Sequence, residues 1–242
     1  MRPRGRASVS RWLGLALAPL AGACEPPPTA NHLPRPGQTQ VAASPTASRP
    51  SRVATARAAA EELLELRRSR NYDAIARRVL EPHGPDVAAT LAAVDEFLSE
   101  NERLVRWLRH EIDPAAARAV DQGQFGRHLD LFSELVELRD VSATETEATV
   151  VFLVDNQLPL RRCRLVWKSD GWRYDAGDGF HATLPSAFRT MAAGMRDLHA
   201  RFAEPAGRAA LRADPRRVLQ EVAAALEPGA RLLRPPASAP VP

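Results

Sequence analysis

The sequence predicts an α+β fold in which N-terminal helices pack on a curved antiparallel β-meander and further helices follow. Three observations carry that prediction. Apolar residues recur at helical spacing up to about residue 120 and again after Leu184, and at strand spacing only between these stretches. The strand-like runs are joined by short polar turns, Asp155-Asn156-Gln157 and Ser169-Asp170-Gly171, too short for crossover helices. The order of helices, strands, helices is that of an α+β domain and not of alternating βαβ units.

Taken in chain order, Val53 to Arg70 is rich in Ala, Leu, Glu and Arg, all good helix formers. Asn71 supplies a stop or a cap, and Tyr72 to Leu80 predicts a short second helix ending before Pro82. From Pro85 a long third helix is expected, because Val87, Leu91, Val94, Leu98, Val105, Leu108 and Ile112 recur at steps of four and three, missing only at Asn101. Ser99 and Glu102 fit a capping box, so a break at that point is an alternative, and a sheet-packed helix and an intermolecular coiled coil both suit the seam. Asp113-Pro114 restarts a short helix to Val120, closed by Gly123.

After Gly126 the period changes. Leu129, Leu131, Leu135, Val136 and Leu138 form a first β-rich run, and Glu147 to Val154 a second that reads as buried on both faces. Leu158 to Lys168 predicts a third strand, paired through a tight hairpin with Trp172-Arg173-Tyr174. A helix carrying Phe188, Met191, Met195, Leu198 and Phe202 follows Leu184-Pro185, and a last one runs from Asp214-Pro215 to Leu226, ended by Pro228-Gly229.

Composition bounds the function classes. With 242 residues, 45% hydrophobic and 26% charged, the chain is neither collagenous, wholly disordered nor a polytopic membrane protein. Its two cysteines cannot build a disulfide scaffold or an all-cysteine zinc site. No Gly-rich phosphate loop, nucleophile elbow or His-Glu-x-x-His helix occurs, which argues against an autonomous enzyme.

Residues 1–23 hold Arg2, Arg4, Arg6 and Arg11 and no acid, then an apolar run from Trp12 to Leu20 and the small residues Ala21, Gly22 and Ala23. That is the pattern of a secretory signal. Its removal takes the formal charge from +4 to zero, so the basic pI of about 9.8 does not point to nucleic acid. The basic clusters Arg67-Arg68-Ser69-Arg70, Arg77-Arg78 and Arg161-Arg162-Cys163-Arg164 are interleaved with acids and read as solvated faces. Glu25 to Pro50 contains seven prolines and almost no large apolar residue, the composition of a solvated tether, and 235–242 repeats it as a tail.

The run Leu20-Ala21-Gly22-Ala23-Cys24 resembles the lipobox of bacterial lipoproteins, departing from its favoured pattern in having Ala21 three before the cysteine. The resemblance implies a diacylglycerol on the sulfur of Cys24, cleavage just before it, and a cell-envelope protein anchored to the membrane. Glu25, where inner-membrane retention in some bacteria uses Asp, leans toward the outer membrane. Ala21-x-Ala23 equally suits an ordinary signal peptidase, and an Arg-rich, acid-free leader also suits a mitochondrial transit peptide.

The hairpin Val166-Trp167-Lys168-Ser169-Asp170-Gly171-Trp172-Arg173-Tyr174, behind N-terminal helices and a meander, resembles bacterial NTF2-like (cystatin-like, SnoaL-related) domains over about residues 55–180. The resemblance implies a domain over 53–182 with helices across the concave face of a bent sheet, forming a cone with a pocket. The helical extension, 183–234, departs from that pattern and is expected to cap the cone mouth or cover the sheet's outer face. The family includes ketosteroid-isomerase-like enzymes and many non-catalytic members. No catalytic motif is matched, so no catalytic residue, cofactor or metal is assigned.

Few residues offer chemistry. His128 and Asp130 enter the first expected strand, where Asp130, out of phase with Leu129 and Leu131, should face water. Tyr174, Asp175, Asp178 and His181 lie in or beside a glycine-punctuated loop, the stretch most suited to touch a ligand or offer oxygen and imidazole donors. Turn chemistry alone also explains its Asp-Gly pairs. Cys163, mid-strand between two arginines, reads as buried filler or a reactive thiol. The functions expected are a lipid-anchored, non-catalytic module binding an envelope protein or a small apolar ligand, an acid–base enzyme using the cone pocket, or an assembly protein acting through the long helix.

Overall fold

The computed structural model describes residues 51–177 and 179–233. The helix-forming stretch after Ser51 becomes α1 (Arg52–Arg68), and α2 (Tyr72–Arg78) starts where the side chain of Asn71 accepts the backbone N–H of Ala74. The long helix α3 spans Gly84–Glu111, and α4 (Pro114–Val120) is capped by Asp113, whose carboxylate accepts from the Ala116 N–H at 2.9 Å. Then come β1 (Val136–Ala143), β2 (Glu147–Val154), β3 (Gln157–Lys168) and β4 (Gly171–Asp175), followed by α5 (Thr183–Ala203), α6 (Pro205–Ala213) and α7 (Arg217–Leu232). No helix among the described residues is long and apolar enough to cross a membrane.

The fold is α+β, with one four-stranded antiparallel sheet in the order β1-β2-β3-β4. Short turns enforce this order, because sequential strands joined by two or three residues can only pair as neighbours. Along β2, Ala148, Val150, Phe152 and Val154 point into the core, opposite Val141 of β1 and Cys163 and Leu165 of β3. Helix α1 covers this inner face through Ala56, Ala60, Leu63 and Leu64, and the indole N–H of Trp172 donates to the Thr55 hydroxyl at 3.0 Å. The segment after α2 reaches the free edge of β4, where the Leu80 N–H donates to the Tyr174 carbonyl.

Four sequence expectations are corrected by this arrangement. First, β1 begins at Val136, and residues 123–132 form two 3-10 turns where a strand was expected from Leu129. Leu129 and Leu131 are buried, but by turn geometry and not by strand alternation. Second, α3 does not break at Ser99-Glu102. Asn101 is buried mid-helix, donating from its amide to Asp121 and accepting the Gln122 N–H, so a tertiary partner absorbs the polar group that suggested a break.

Third, α3 does not lie on the sheet. Its apolar stripe, Val87, Leu91, Val94, Phe97, Leu104, Val105 and Leu108, is buried mainly against α5, α2 and α4, so the seam is filled within the chain. Residues 183–232 therefore pack on helices and do not cover the outer face of the sheet. They complete a helical layer around α3, with Phe97, Phe125 and Phe188 meeting at centroid distances of 5.6 to 5.9 Å. Fourth, α7 continues through Pro228 to Leu232. Proline removes one helical hydrogen bond, yet burial of Leu226 and Gly229 against α5 outweighs that loss. The contact between α5 and α7 is close because Gly194 and Gly229 carry no side chain. A Cβ at Gly194 would sit 2.3 Å from the Ala225 carbonyl oxygen, and one at Gly229 2.4 Å from Met191.

Candidate functional site

A cleft of about 790 Å³ opens between the C-terminal end of α1 and the neighbouring end of the sheet. Its apolar floor is Leu64, Phe132, Leu135 and Val136. Its charged lining comes from Arg67, Arg68 and Arg70 of α1 and the residues after it, from Glu134 and Glu137, and from the β2–β3 turn residue Asp155, beside the polar Asn156, with the Glu134 charge acting on Arg67. That volume falls within the range of small-ligand sites.

At the base of the cleft Arg67 and Asp95 form a bidentate pair, with N···O distances of 2.6 and 2.5 Å and both side chains about nine-tenths buried. The Arg67 Nε also donates to the Phe132 carbonyl at 3.1 Å, and the Tyr72 hydroxyl donates to Asp95 at 2.5 Å. One carboxylate on α3 thus ties together α1 and α2. Burial raises the cost of its charge, but the bonds from Arg67 and Tyr72 outweigh that and hold Asp95 below the usual carboxylate range. The same burial, with the negative partner beside it, pushes Tyr72 up to about 12. The expectation of a solvated Arg67 is corrected by this pairing, whereas Arg68 remains exposed and pairs with Glu65.

Five described residues other than glycine have positive φ, and four of them line the cleft: Arg70, Leu135, Asp155 and Asn156. All four have local reasons. Arg70 follows a helix end, and Asp155 and Asn156 form a two-residue hairpin turn of the kind that needs positive φ at both positions. Leu135 stands in the turn that leads into β1. It sits at φ +53° with its side chain 70% exposed, held there as its carbonyl accepts from the Asp155 N–H at 3.0 Å.

The residues singled out from sequence lie elsewhere. Asp130 does not face water. It stands in a 3-10 turn at φ +52° with its carboxylate turned inward, bonded by the Tyr174 hydroxyl. Strand alternation does not apply to a turn, and that is why the sidedness argument failed. Burial raises its carboxyl above the usual range, against the bonds from Tyr174 and the Leu131 N–H and the nearby charge of Arg161. Tyr174 is a core residue, 1% exposed, with its ring 5.0 Å edge-on to Phe132, so it is not open to the loop. Burial, then the Asp130 charge and hydrogen bond, push its hydroxyl well up.

His128 is exposed, and burial of part of its ring, with Arg161 and Arg127 nearby, lowers its affinity for a proton. Cys163 is 7% exposed. Burial, and secondarily Asp130, push its thiol up, the opposite of an activated nucleophile. Asp175 is engaged by Arg164 at 2.5 Å and accepts the Gly177 N–H, while His181 Nδ1 lies 2.7 Å from the Thr183 hydroxyl. Asp178 and Cys24 lie outside the described residues, as do the expected leader, tether and tail. Among the described residues no group of three or more His, Cys, Asp or Glu is placed to hold a metal ion.

The cleft was missed because its lining is discontinuous in sequence: Arg67 and Asp95 are 28 positions apart, and Phe132 follows much later. The one local signal was Leu135, an apolar residue between Glu134 and Val136 that breaks strand alternation. No family model matches the chain, and neither does any curated protein or solved structure.

Proposed function

We propose that this chain is a lipid-anchored envelope protein whose folded part is a non-catalytic binding module, held off a bilayer by its proline-rich segment, with the α1–sheet cleft as its ligand site. The anchor reading is supported by the lipobox-like run ending in Cys24 and the tether composition after it, with Glu25 favouring the outer membrane. The NTF2-like reading is supported by α1 lying on the inner face of an antiparallel meander that ends in the Gly171-Trp172-Arg173 hairpin.

The observation that carries the binding reading is the separation of chemistry from space. Asp130, Tyr174 and Cys163, whose ionisable groups are turned into the core, do not line the cleft, and the cleft's own Arg67–Asp95 pair is locked by mutual hydrogen bonds. A second reading, an acid–base enzyme, is favoured by one observation, the buried carboxyl of Asp130 with its raised proton affinity.

Intact mass and detergent partition of the chain expressed in a bacterial host, beside Cys24→Ala, test the proposal. A diacylglyceryl increment and detergent-phase partition, both lost in the variant, are expected. A soluble, unmodified chain that begins at Cys24 or retains residues 1–23 overturns the anchor.

A further inference from the structure

The ladder between β2 and β3 is interrupted beside their turn. Val154 pairs with Gln157 and Phe152 with Arg161, so three residues of β3, Leu158, Pro159 and Leu160, stand opposite Leu153 alone. The extra residues form a bulge outside the regular pairing. Every residue from Asn156 to Leu160 is exposed. Leu158, at 82%, is the most exposed large apolar side chain among the described residues, and Leu160 stands at 49%. An apolar tip left in water contributes little to the fold and marks a surface that meets something else.

Two arginines follow the tip. Arg161 donates to the Arg127 carbonyl at 2.8 Å and stands near the charge of Asp130. Arg162, exposed and opposite Val151, makes no hydrogen bond or ion pair among the described residues. The carboxylates of the neighbouring strands and turn are engaged. Asp155 is paired with Arg127, Glu137 with Arg139, and Glu147 and Asp175 with Arg164, while Asp140 on β1 accepts the Val141 N–H.

We infer that the β2–β3 hairpin seats the domain on an anionic bilayer, with Leu158 and Leu160 in the acyl boundary and Arg162 on the lipid phosphates. Size separates a bilayer from a protein partner. A stable protein interface buries roughly 1,000 Å² or more, which a tip of three residues does not supply. A bilayer closes around a small apolar tip and requires no matching pocket. Arg162 adds the sign of the charge, because its stem can lie along the apolar boundary while its guanidinium reaches a phosphate. A domain tethered to a bilayer meets it at high local concentration, so one shallow contact seats it reversibly. The inference goes beyond the cleft reading and takes the proposed anchor only as its setting.

The full chain carrying Cys24→Ala and Leu158→Cys is labelled at residue 158 with an environment-sensitive nitrobenzoxadiazole fluorophore; Cys163, 7% exposed, does not compete for the label. With vesicles of equal parts phosphatidylglycerol and phosphatidylcholine the emission is expected to rise and shift to the blue, and with phosphatidylcholine alone to require roughly fivefold more lipid. Arg162→Gln is expected to remove that preference. Leu160→Ser is expected to weaken binding roughly tenfold while the far-ultraviolet spectrum stays that of the parent. The same label placed through Leu219→Cys on α7, which packs on α4 and α5, is expected not to respond. No response at residue 158 overturns the inference, and so does an equal response at residue 219, which means contact without this surface. A response at residue 158 that is the same with both vesicle types and unchanged by Arg162→Gln overturns the anionic assignment. Because the labelled chain lacks Cys24, failure here leaves the lipid anchor standing, and the anchor is judged separately by mass and partition.

Discussion

Replacing Asp95 by Ala removes the one carboxylate that joins α1, α2 and α3. The variant strands the Arg67 guanidinium beside the Phe132 carbonyl and leaves the Tyr72 hydroxyl without its acceptor. Breaking a buried pair from one side costs about 3 to 5 kcal/mol. Because the pair forms the base of an open cleft, water can enter and solvate the stranded cation, so the lower end, about 3 kcal/mol, is expected. That is a large part of the roughly 5 to 15 kcal/mol that holds such a domain together. The assay is urea unfolding followed by far-ultraviolet circular dichroism, with midpoint and slope both recorded.

The same variant carries a pH signature. Asp95 has a lowered folded-state pKa, so its contribution is fully present above the unfolded value near 3.9 and is lost as pH falls through the folded value. The cost of Asp95→Ala should therefore be flat from pH 7 to 5 and shrink below about pH 4. The double variant Arg67→Met, Asp95→Leu, which removes both charges, should recover at least half of the loss. A single-variant cost below about 1 kcal/mol, or one unchanged at pH 3, would refute the account of a desolvated, mutually stabilised pair.

Two further outcomes follow from the packing. Asp130 has a raised folded-state pKa from burial, so the stability it contributes is present below its unfolded value and lost as pH rises through the folded one. Asp130→Asn, which keeps an acceptor for Tyr174 without the charge, should match the parent near pH 3 and melt higher at pH 8; a variant that melts lower at pH 8 contradicts this. At Gly194 helix propensity and packing oppose each other. Propensity favours Ala by about 1 kcal/mol, but its Cβ would meet a backbone oxygen of α7 at 2.3 Å, so Gly194→Ala should be destabilising by about 1 to 2 kcal/mol, and a raised melting temperature would show that the helices separate freely.

By itself the sequence determined the α+β class, most of the element positions and the antiparallel order of the meander. The reason is local: apolar period, caps at Asn71 and Asp113, and two-residue turns act within a few positions of where they are written. Period shows that a face is apolar but not what covers it. Only the tertiary structure decided that α5 and not the sheet covers α3, that Asn101 finds Asp121 and Gln122 and so leaves the helix unbroken, and that α7 passes through Pro228. The candidate site was least legible. Tyr174 meets Asp130 across 44 positions and Arg67 meets Asp95 across 28, and polar residues that read as solvated in a local window become buried once a distant partner satisfies their charge or hydrogen bonds.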